Sequence, residues 1–473
     1  MGENGQSVAD AAAPATGAPA PAGASTFQVC LATLVGGLLR FWYVLWVHPP
    51  AKYLYSDMLA NVQRAYAMAD PKHVAGPWDT FVPRGIVAIG ALALKLFPDR
   101  SVEALTPVQA LLSTACIPLA FVGLRRFLGE RPARWAAWML ALDYLVIGFA
   151  GYFLAETYLA FLLVLALALF QPDRPWRSLW VGLCLGLASW YKAQTFVMVP
   201  IWALGLWWTA RKLSPERGRA RRLGALAMIL GGLAFVVPES VLVSRILGRP
   251  IFMSSNGGQN FYSGHCRVHL LTCVGPWGSY AAGLPTTWER DPDWPDRQVT
   301  VPFYDSGWYY KEGIRCLESD GLKAPLWFLQ QFVDVFAGWP GGTLDPWPDW
   351  STERFAWVRG TNLLIAYLIA PLAFLGLWWR RREEGIWFAF GLPLAQILGI
   401  AVLFLGDPRF RVPYDFLFFG AAASAMIAIW ESERLRARIP WLAKRPGALA
   451  QPEPAQAGER VGGERGLDLE PPA

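Results

Sequence analysis

Apolar runs of close to 20 residues recur along this chain and restrict its fold more than any other feature. A helix of about 20 apolar residues is long enough to cross the roughly 30 Å hydrocarbon core of a bilayer. The sequence therefore predicts an all-α polytopic membrane protein with about 10 transmembrane helices (range about 9–13) and additional juxtamembrane helices. The predicted spans are residues 27–47, 103–124, 133–150, 152–170, 178–190, 194–210, 222–243, 359–379, 386–405 and 412–430.

Two further apolar runs contain charges and are interpreted as helices that lie at the membrane interface or dip into it. They are residues 81–97, with Arg84 and Lys95, and residues 325–339, with Asp334. Composition agrees with a membrane protein, because 54% of the residues are hydrophobic and 16% are charged, against roughly 25% charged in soluble domains. No basic tract interleaved with aromatic residues indicates nucleic-acid binding.

The arginine distribution predicts the orientation of the spans. If the ten predicted spans cross the membrane in turn, the Arg-rich connections all fall on one side. The positive-inside rule predicts that this side is cytoplasmic, and both termini lie on it. The other side carries two long loops, residues 48–102 and 244–358, and short turns near residues 151, 191 and 406–411. The Arg-rich connections are residues 125–134, 171–177, 211–222 and 380–384 and the flank 431–445.

Three regions follow from this pattern. Residues 1–26 are rich in Ala, Pro and Gly and are predicted to be a disordered cytoplasmic tail. Residues 27–430 form the transmembrane domain, whose first apolar run is too long for the apolar region of a cleavable signal peptide. Residues 431–473 are predicted to be a basic cytoplasmic flank and a second disordered tail.

A carboxylate follows the first predicted span, in the segment Tyr55-Ser56-Asp57-Met58. Ser56 is a good N-cap for a helix, on which Asp57, Asn61 and Arg64 share one face while the other face is apolar. This pattern predicts an amphipathic helix that lies on the membrane. Asp57 is a candidate catalytic residue on this face, and the alternative is a charge that only stabilises the helix N-terminus.

Charges within or near the predicted spans add further candidates. Arg40 lies inside the first span, where it either snorkels to the interface or meets a carboxylate or a phosphate. Glu156 lies at the outer end of one span and Asp143 on the preceding one. Carboxylates at membrane depth are candidates for function by default, and the alternative is structural pairing with each other or with Arg40.

Cations on the outer side complete the pattern. Lys192 lies in a short outer turn, and Arg409 and Arg411 lie in the turn GDPRFRVP at residues 406–413. Two guanidinium groups suit the bidentate binding of phosphate oxygens, whereas anchoring at the interface is the alternative. A site with carboxylates and several cations could perform glycosyl transfer, because a carboxylate can deprotonate the acceptor and cations can stabilise a departing lipid phosphate.

The long loop contains a Gly/Asn-rich segment at residues 254–265, which is suited to tight turns and close backbone approach to a ligand. His265, Cys266, His269 and Cys273 follow closely. A disulfide between Cys266 and Cys273 is the favoured interpretation if the loop faces an oxidising compartment. Free thiols and a zinc site are the alternatives, and Cys316 complicates the pairing.

Over roughly residues 27–430 the chain resembles bacterial GT-C glycosyltransferases related to protein O-mannosyltransferases and the lipid A aminoarabinose transferase. The resemblance implies that Asp57 is the catalytic base, that the donor is a polyprenyl-phosphate sugar, and that the reaction is an inverting single displacement. Asp57 stands without the adjacent second acidic residue that many members have, which weakens the case for a bound metal, and no cofactor is expected. The matching residues are Arg40, Tyr55-Ser56-Asp57, the Arg84 helix at residues 83–97, Glu156, Arg409, Arg411 and, in the segment Asn256–Gly264, Asn256, Gly257, Gly258, Asn260 and Tyr262.

The sequence thus predicts a glycosyltransferase of the bacterial inner membrane that acts on its periplasmic face. Asp57 and Glu156 would be catalytic, whereas Arg40, Lys192, Arg409 and Arg411 would bind the donor phosphate. Further substrate-binding residues would be Arg84, Asn256, Gly257, Gly258, Asn260 and Tyr262. The acceptor would be a lipid, a glycan or a protein. The alternative is a transporter or flippase of lipid-linked glycans, which would more often show inverted repeats and helices broken at mid-membrane.

Overall fold

The structure is a computed structural model that describes residues 22–54, 56–98, 101–266, 306–337, 360–386, 390–404 and 406–432. The chain divides into a unit of residues 1–426 and a unit of residues 427–473, of which residues 427–432 are described and continue a helix. The regular elements of the described ranges are helices. The predicted all-α class is therefore confirmed for this part of the chain.

The first half of the chain forms nine α-helices of 6 to 28 residues within the described ranges. Helix α1 continues from Trp42 into a π-helical turn, Tyr43–Val47. The bounds are α1 Ala22–Trp42, α2 Ser56–Ala69, α3 Gly85–Leu96, α4 Ser101–Leu128, α5 Glu130–Leu142, α6 Tyr144–Phe149, α7 Glu156–Leu169, α8 Pro175–Ser189 and α9 Met198–Thr209.

The second half contains the longest helix of the described residues, α10. It ends at Gly248, whose backbone has the left-handed helical conformation. A π-helical turn, Ile365–Ile369, lies within α14. The bounds are α10 Pro215–Leu247, α11 Gly257–His265, α12 Ser306–Asp320, α13 Ala324–Ala337, α14 Gly360–Trp379, α15 Leu392–Leu403, α16 Pro408–Arg411 and α17 Asp415–Glu431.

Among the described residues, five helical segments are long and apolar enough to cross a membrane, so the chain is polytopic, but the predicted count of ten spans is not confirmed. These segments are Ser25–Lys52, Val102–Leu128, Pro215–Leu247, Gly360–Trp379 and Pro408–Glu431.

The predicted span 133–150 shows why the count is lower. It is divided at Asp143, whose extended backbone ends α5 and whose carboxylate accepts a hydrogen bond from the Leu145 backbone nitrogen at the start of α6. An aspartate competes in this way with the helical backbone for its hydrogen bonds. Hydropathy alone did not reveal the break.

Close helix packing depends on small residues, as is common between helices in lipid. Helix α4 packs against α1, α3, α5 and α7, and α10 packs against α8 and α9. At the contact of α8 with α10, a Cβ atom on Gly182 would lie 2.1 Å from the Met228 carbonyl oxygen. A glycine is therefore required where these two backbones meet.

The Gly/Asn-rich segment, which the sequence predicted to be a loop, forms α11. A Cβ atom on Gly258 would lie 2.2 Å from the Ser306 carbonyl oxygen, and one on Gly264 would lie 1.4 Å from the Phe404 carbonyl oxygen. These glycines therefore have a packing role, since they let α11 approach the start of α12 and the turn before α16.

The predicted disulfide is wrong in its partner. Cys266 is bonded to Cys316, with the sulfur atoms 2.07 Å apart, because α11 packs along α12 and brings the two residues together. Cys273 and His269 lie outside the described residues. Gln331 of α13 donates to the Gly264 carbonyl oxygen at 2.6 Å, and His265 Nε2 lies 3.0 Å from the Leu403 carbonyl oxygen. The disulfide-linked segment thus packs on the turn that leads to α16.

Candidate active site

Four charged residues from four separate elements meet at one place, and we call them the open cluster: Asp57, Glu156, Lys192 and Arg409. Arg409 Nη1 donates to Asp57 Oδ2 at 2.8 Å, and Arg409 Nε donates to Glu156 Oε1 at 2.5 Å. Lys192 Nζ lies 3.1 Å from the same Glu156 oxygen. Two carboxylates and two cations therefore alternate in one connected group.

The local sequence explains how Arg409 reaches this position. Asp407 N-caps α16, and its Oδ1 accepts a hydrogen bond of 2.7 Å from the Arg409 backbone nitrogen. Pro408 occupies the first helical position, where its missing N–H has no cost. Burial raises the pKa of Asp407 to about 6, although its hydrogen bond to Arg409 and the Arg409 charge oppose this shift. The cap fixes the direction in which α16 begins.

The two carboxylates of the open cluster have different environments. Glu156 is 1% exposed, and its Oε2 accepts no hydrogen bond from the described residues. The Asp57 side chain is 49% exposed, so its carboxylate can reach a substrate while Arg409 holds it in place. Asp57 therefore has the access that a general base requires.

Lys192 belongs to the enclosed side of the open cluster. Burial lowers the pKa of Lys192, whereas the Glu156 carboxylate opposes this change. Its Nζ lies 5.2 Å from the centre of the Phe410 ring, within the range of a cation–π interaction. The amine is thus held between a carboxylate and an aromatic face.

Arg40 is not part of the open cluster. Its side chain is fully buried, and Nε donates to Ser113 Oγ at 2.7 Å. Nη2 donates to the Leu140 carbonyl oxygen at 2.9 Å, and Nη1 donates to the carbonyl oxygens of Gly36 and Ala141 at 3.0 and 3.1 Å. Arg40 therefore satisfies the carbonyl groups at the end of α5, next to the break at Asp143.

Arg411 also points away from the open cluster, although it is two residues from Arg409. It is fully buried, and its Nη2 donates to Asn362 Oδ1 at 3.1 Å. Arg411 Nε lies 3.5 Å from Asp415 Oδ1, and the Arg411 charge acts on the Asp143 carboxylate. We call Arg40, Asp143, Arg411 and Asp415 the buried cluster. Arg40 and Arg411 thus have structural contacts within the protein, and their expected phosphate role stays a prediction.

Arg84 forms a bidentate ion pair with Glu239 of α10, at 2.7 Å from Nε to Oε1 and 2.6 Å from Nη2 to Oε2. The pair fixes the start of α3 against α10, and a hydrogen bond from the Gly85 nitrogen to the Trp190 carbonyl oxygen fixes it to the end of α8. Sequence reasoning missed Glu239. The signal was available, because a carboxylate within a long apolar run needs a partner.

The remaining predicted substrate residues lie on or just before α11. Asn256 Oδ1 accepts a hydrogen bond from Ser254 Oγ at 3.0 Å, and Tyr262 packs with Trp308 and Tyr309 of α12. Gly257, Gly258 and Asn260 belong to the same helix. Gly257, Gly258 and Tyr262 lie against α12, and α11 reaches the turn before α16. The motif is therefore joined to the open cluster through that turn. Tyr55 lies outside the described residues.

No family model matches the chain, and no curated protein matches it in sequence. Among solved structures, it is similar to the archaeal oligosaccharyltransferase AglB from Archaeoglobus fulgidus in complex with an inhibitory peptide and a dolichol-phosphate, at 13% identity and a TM-score of 0.47. This match covers 88% of the chain and 52% of AglB. The apo form of the Archaeoglobus fulgidus oligosaccharyltransferase matches at 14% identity and a TM-score of 0.49, over 88% of the chain and 51% of that protein.

The chain therefore spans about half the length of the solved structures that it matches.

Proposed function

We propose that the protein is a membrane glycosyltransferase that transfers a sugar from a polyprenyl-phosphate donor to an acceptor by an inverting single displacement. The observation that carries this proposal is the open cluster, in which a half-exposed carboxylate, Asp57, lies beside two cations, Arg409 and Lys192. A base next to cations suits a reaction that removes a proton on one side and releases an anion on the other.

In this reaction the acceptor hydroxyl loses its proton to Asp57 as its oxygen attacks the anomeric carbon of the sugar. The bond between that carbon and the phosphate oxygen breaks, and its electron pair leaves with the polyprenyl phosphate. Negative charge therefore develops on the phosphate. Arg409 and Lys192 would stabilise this charge, and their partial enclosure strengthens the attraction because a less polar environment screens charges less.

The geometry supports a positioning role for Glu156. Its Oε1 contacts both Lys192 and Arg409. Two cations that meet at one atom would repel each other if no carboxylate lay between them. Because Glu156 is nearly inaccessible, it fits the task of holding the phosphate-binding cations better than the task of touching the acceptor.

Reaction on the periplasmic face of a bacterial inner membrane is part of the proposal. The Arg-rich connections support this orientation, as does the Cys266–Cys316 disulfide, because disulfides persist mainly in oxidising compartments. A lipid, a glycan and a protein remain the acceptor classes.

The test is release of polyprenyl phosphate by the purified protein in nanodiscs, supplied with polyprenyl-linked lipids from native membranes and an envelope extract as acceptor. Mass spectrometry would follow the release. Asp57→Asn should lower it about 100-fold or more, since general-base catalysis contributes at least that factor. Asp70→Asn is the matched control, because Asp70 is exposed just after α2, where its Oδ1 accepts a hydrogen bond from the Lys72 backbone nitrogen.

Equal release by the wild type and Asp57→Asn would refute the role of Asp57 as base. Transport of intact lipid-linked sugar across the bilayer, with no release of polyprenyl phosphate, would favour the flippase alternative.

A further inference from the structure

We infer that Arg411 is a positioning residue: the buried cluster holds one side of α16 so that Arg409, on the other side, points into the open cluster. This inference rests on the proposed function in one respect, because it takes Arg409 as a ligand of the donor phosphate. It differs from the sequence expectation, in which both arginines bind that phosphate.

The helical geometry of α16 separates the two arginines. Successive residues of an α-helix are rotated by about 100°, so residues two apart point in directions that differ by about 200°. Arg409 and Arg411 therefore lie on opposite sides of α16, as their contacts with Asp57 and with Asn362 show. A motif of two arginines separated by one residue cannot direct both to one ligand while it is helical.

The contacts of Arg411 reach three other elements. Its Nη2 binds Asn362 of α14, its Nε faces Asp415 at the start of α17, and its guanidinium carbon lies 6.0 Å from the centre of the Phe336 ring of α13. The Arg411 charge also acts on Asp143, at the break between α5 and α6. This one side chain thus connects α16 to α13, α14 and α17 and to the break.

Charge balance keeps Arg411 in place. The buried cluster has two arginines and two aspartates, and Arg40 acts on Asp143 as well. If Arg411 turned outward to bind a phosphate, Asp143 and Asp415 would remain buried with Arg40 as the nearest arginine of the cluster. An uncompensated buried charge is strongly unfavourable. Arg411 therefore stays buried when substrate binds, and its contacts hold the helix that carries Arg409 in place.

The experiment is a double-mutant cycle for the binding of undecaprenyl phosphate to the full chain in nanodiscs. This probe contains the phosphate group without requiring knowledge of the sugar. Arg409→Met should weaken binding about tenfold or more through loss of a charge-assisted contact. Arg411→Lys should weaken binding severalfold in the wild-type background and should have no further effect in the Arg409→Met background, because it acts through Arg409.

Two further variants distinguish a loss of positioning from a loss of folding. Asp415→Asn removes a charge of the buried cluster with little change in shape and should weaken binding in the same way. Arg221→Lys is the matched control, because Arg221 forms an ion pair of 2.8 Å with Asp173, and both residues lie outside the two clusters. It should leave binding within about twofold of the wild type.

Equal weakening by Arg411→Lys in both backgrounds would overturn the inference, and so would undiminished binding in both Arg411→Lys and Asp415→Asn. If the wild type does not bind undecaprenyl phosphate, the proposed function fails. The positioning role of Arg411 is then tested separately by amide hydrogen exchange. Faster amide exchange at residues 408–414 in Arg411→Lys and Asp415→Asn would support that role, and unchanged exchange would refute it.

Discussion

The open cluster and the buried cluster each contain two carboxylates and two cations, and each includes one arginine of α16. They differ in their access to solvent. In the open cluster the Asp57 side chain is 49% exposed, whereas Arg411 and Asp415 of the buried cluster have no exposed surface. Residue type therefore does not distinguish a reactive group of charges from a structural one, because a base must be able to meet its substrate.

The largest expected effect concerns the stability of the buried cluster. Arg411→Met should lower the free energy of unfolding by about 3–5 kcal/mol, because it leaves the buried Asp415 carboxylate without its cation. Arg409→Met should cost less, since Lys192 still faces Glu156 and Asp57 remains in contact with water. Unfolding in detergent would measure both variants.

The double variant Arg411→Met with Asp415→Asn provides the control. It should recover part of the lost stability, because one unpaired charge is removed together with its partner. Equal losses for Arg409→Met and Arg411→Met would contradict the distinction between the two clusters.

The second prediction compares the same substitution in the two clusters. Asp57→Asn should lower turnover about 100-fold or more and leave the melting temperature nearly unchanged. Asp415→Asn should lower the melting temperature and reduce turnover less. Turnover and melting must be measured on the same preparations. A larger loss of turnover in Asp415→Asn than in Asp57→Asn would contradict the catalytic role of the open cluster.

The third prediction concerns the shape of the cation at position 409. Arg409→Lys keeps the charge but loses the planar guanidinium that contacts Asp57 and Glu156 at once. Loss of one charge-assisted bond, about 1.5–3 kcal/mol, should reduce kcat/KM about tenfold or more. Steady-state kinetics with the native donor would measure this effect, and wild-type kinetics would show that Arg409 only anchors the turn.

The smallest expected effect is the pH dependence contributed by Asp407. Burial raises its pKa from 3.8 to about 6, so the folded protein binds this proton more tightly than the unfolded chain does. The resulting stabilisation is complete below about pH 4 and is lost as the pH rises through about 6. Asp407→Asn, which retains a capping side chain, should therefore raise the melting temperature by about 1–3 °C at alkaline pH.

This gain should shrink towards about pH 5, where Asp407 of the wild type is already largely protonated. Melting curves at about pH 8 and about pH 5 would measure the difference. A decrease in melting temperature of the same size at both values would show that the negative charge itself is needed for the cap of α16.

Much of the site could be anticipated because charges in an apolar chain are conspicuous. Asp57, Glu156, Lys192 and Arg409 were selected from the sequence as polar residues expected on one side of the membrane, and the structure brings these four together. The sequence predicts the same phosphate-binding role for Arg409 and Arg411. For Arg40 it leaves open whether the side chain snorkels to the interface or meets a carboxylate or a phosphate. Their partners depend on helices that are distant in the chain, such as α5 for Arg40.

The sequence by itself determined the helical class and the apolar segments, because hydropathy and helix-breaking residues act over one or two turns. It also determined which charges needed a partner. Only the tertiary structure decided that Asp57 meets Arg409 across 352 residues, that Cys266 pairs with Cys316, and that α16 turns one arginine outward and the other inward. The physical reason is that an ion pair or a disulfide forms where packed helices bring side chains within a few ångströms, and that proximity is not encoded in local composition.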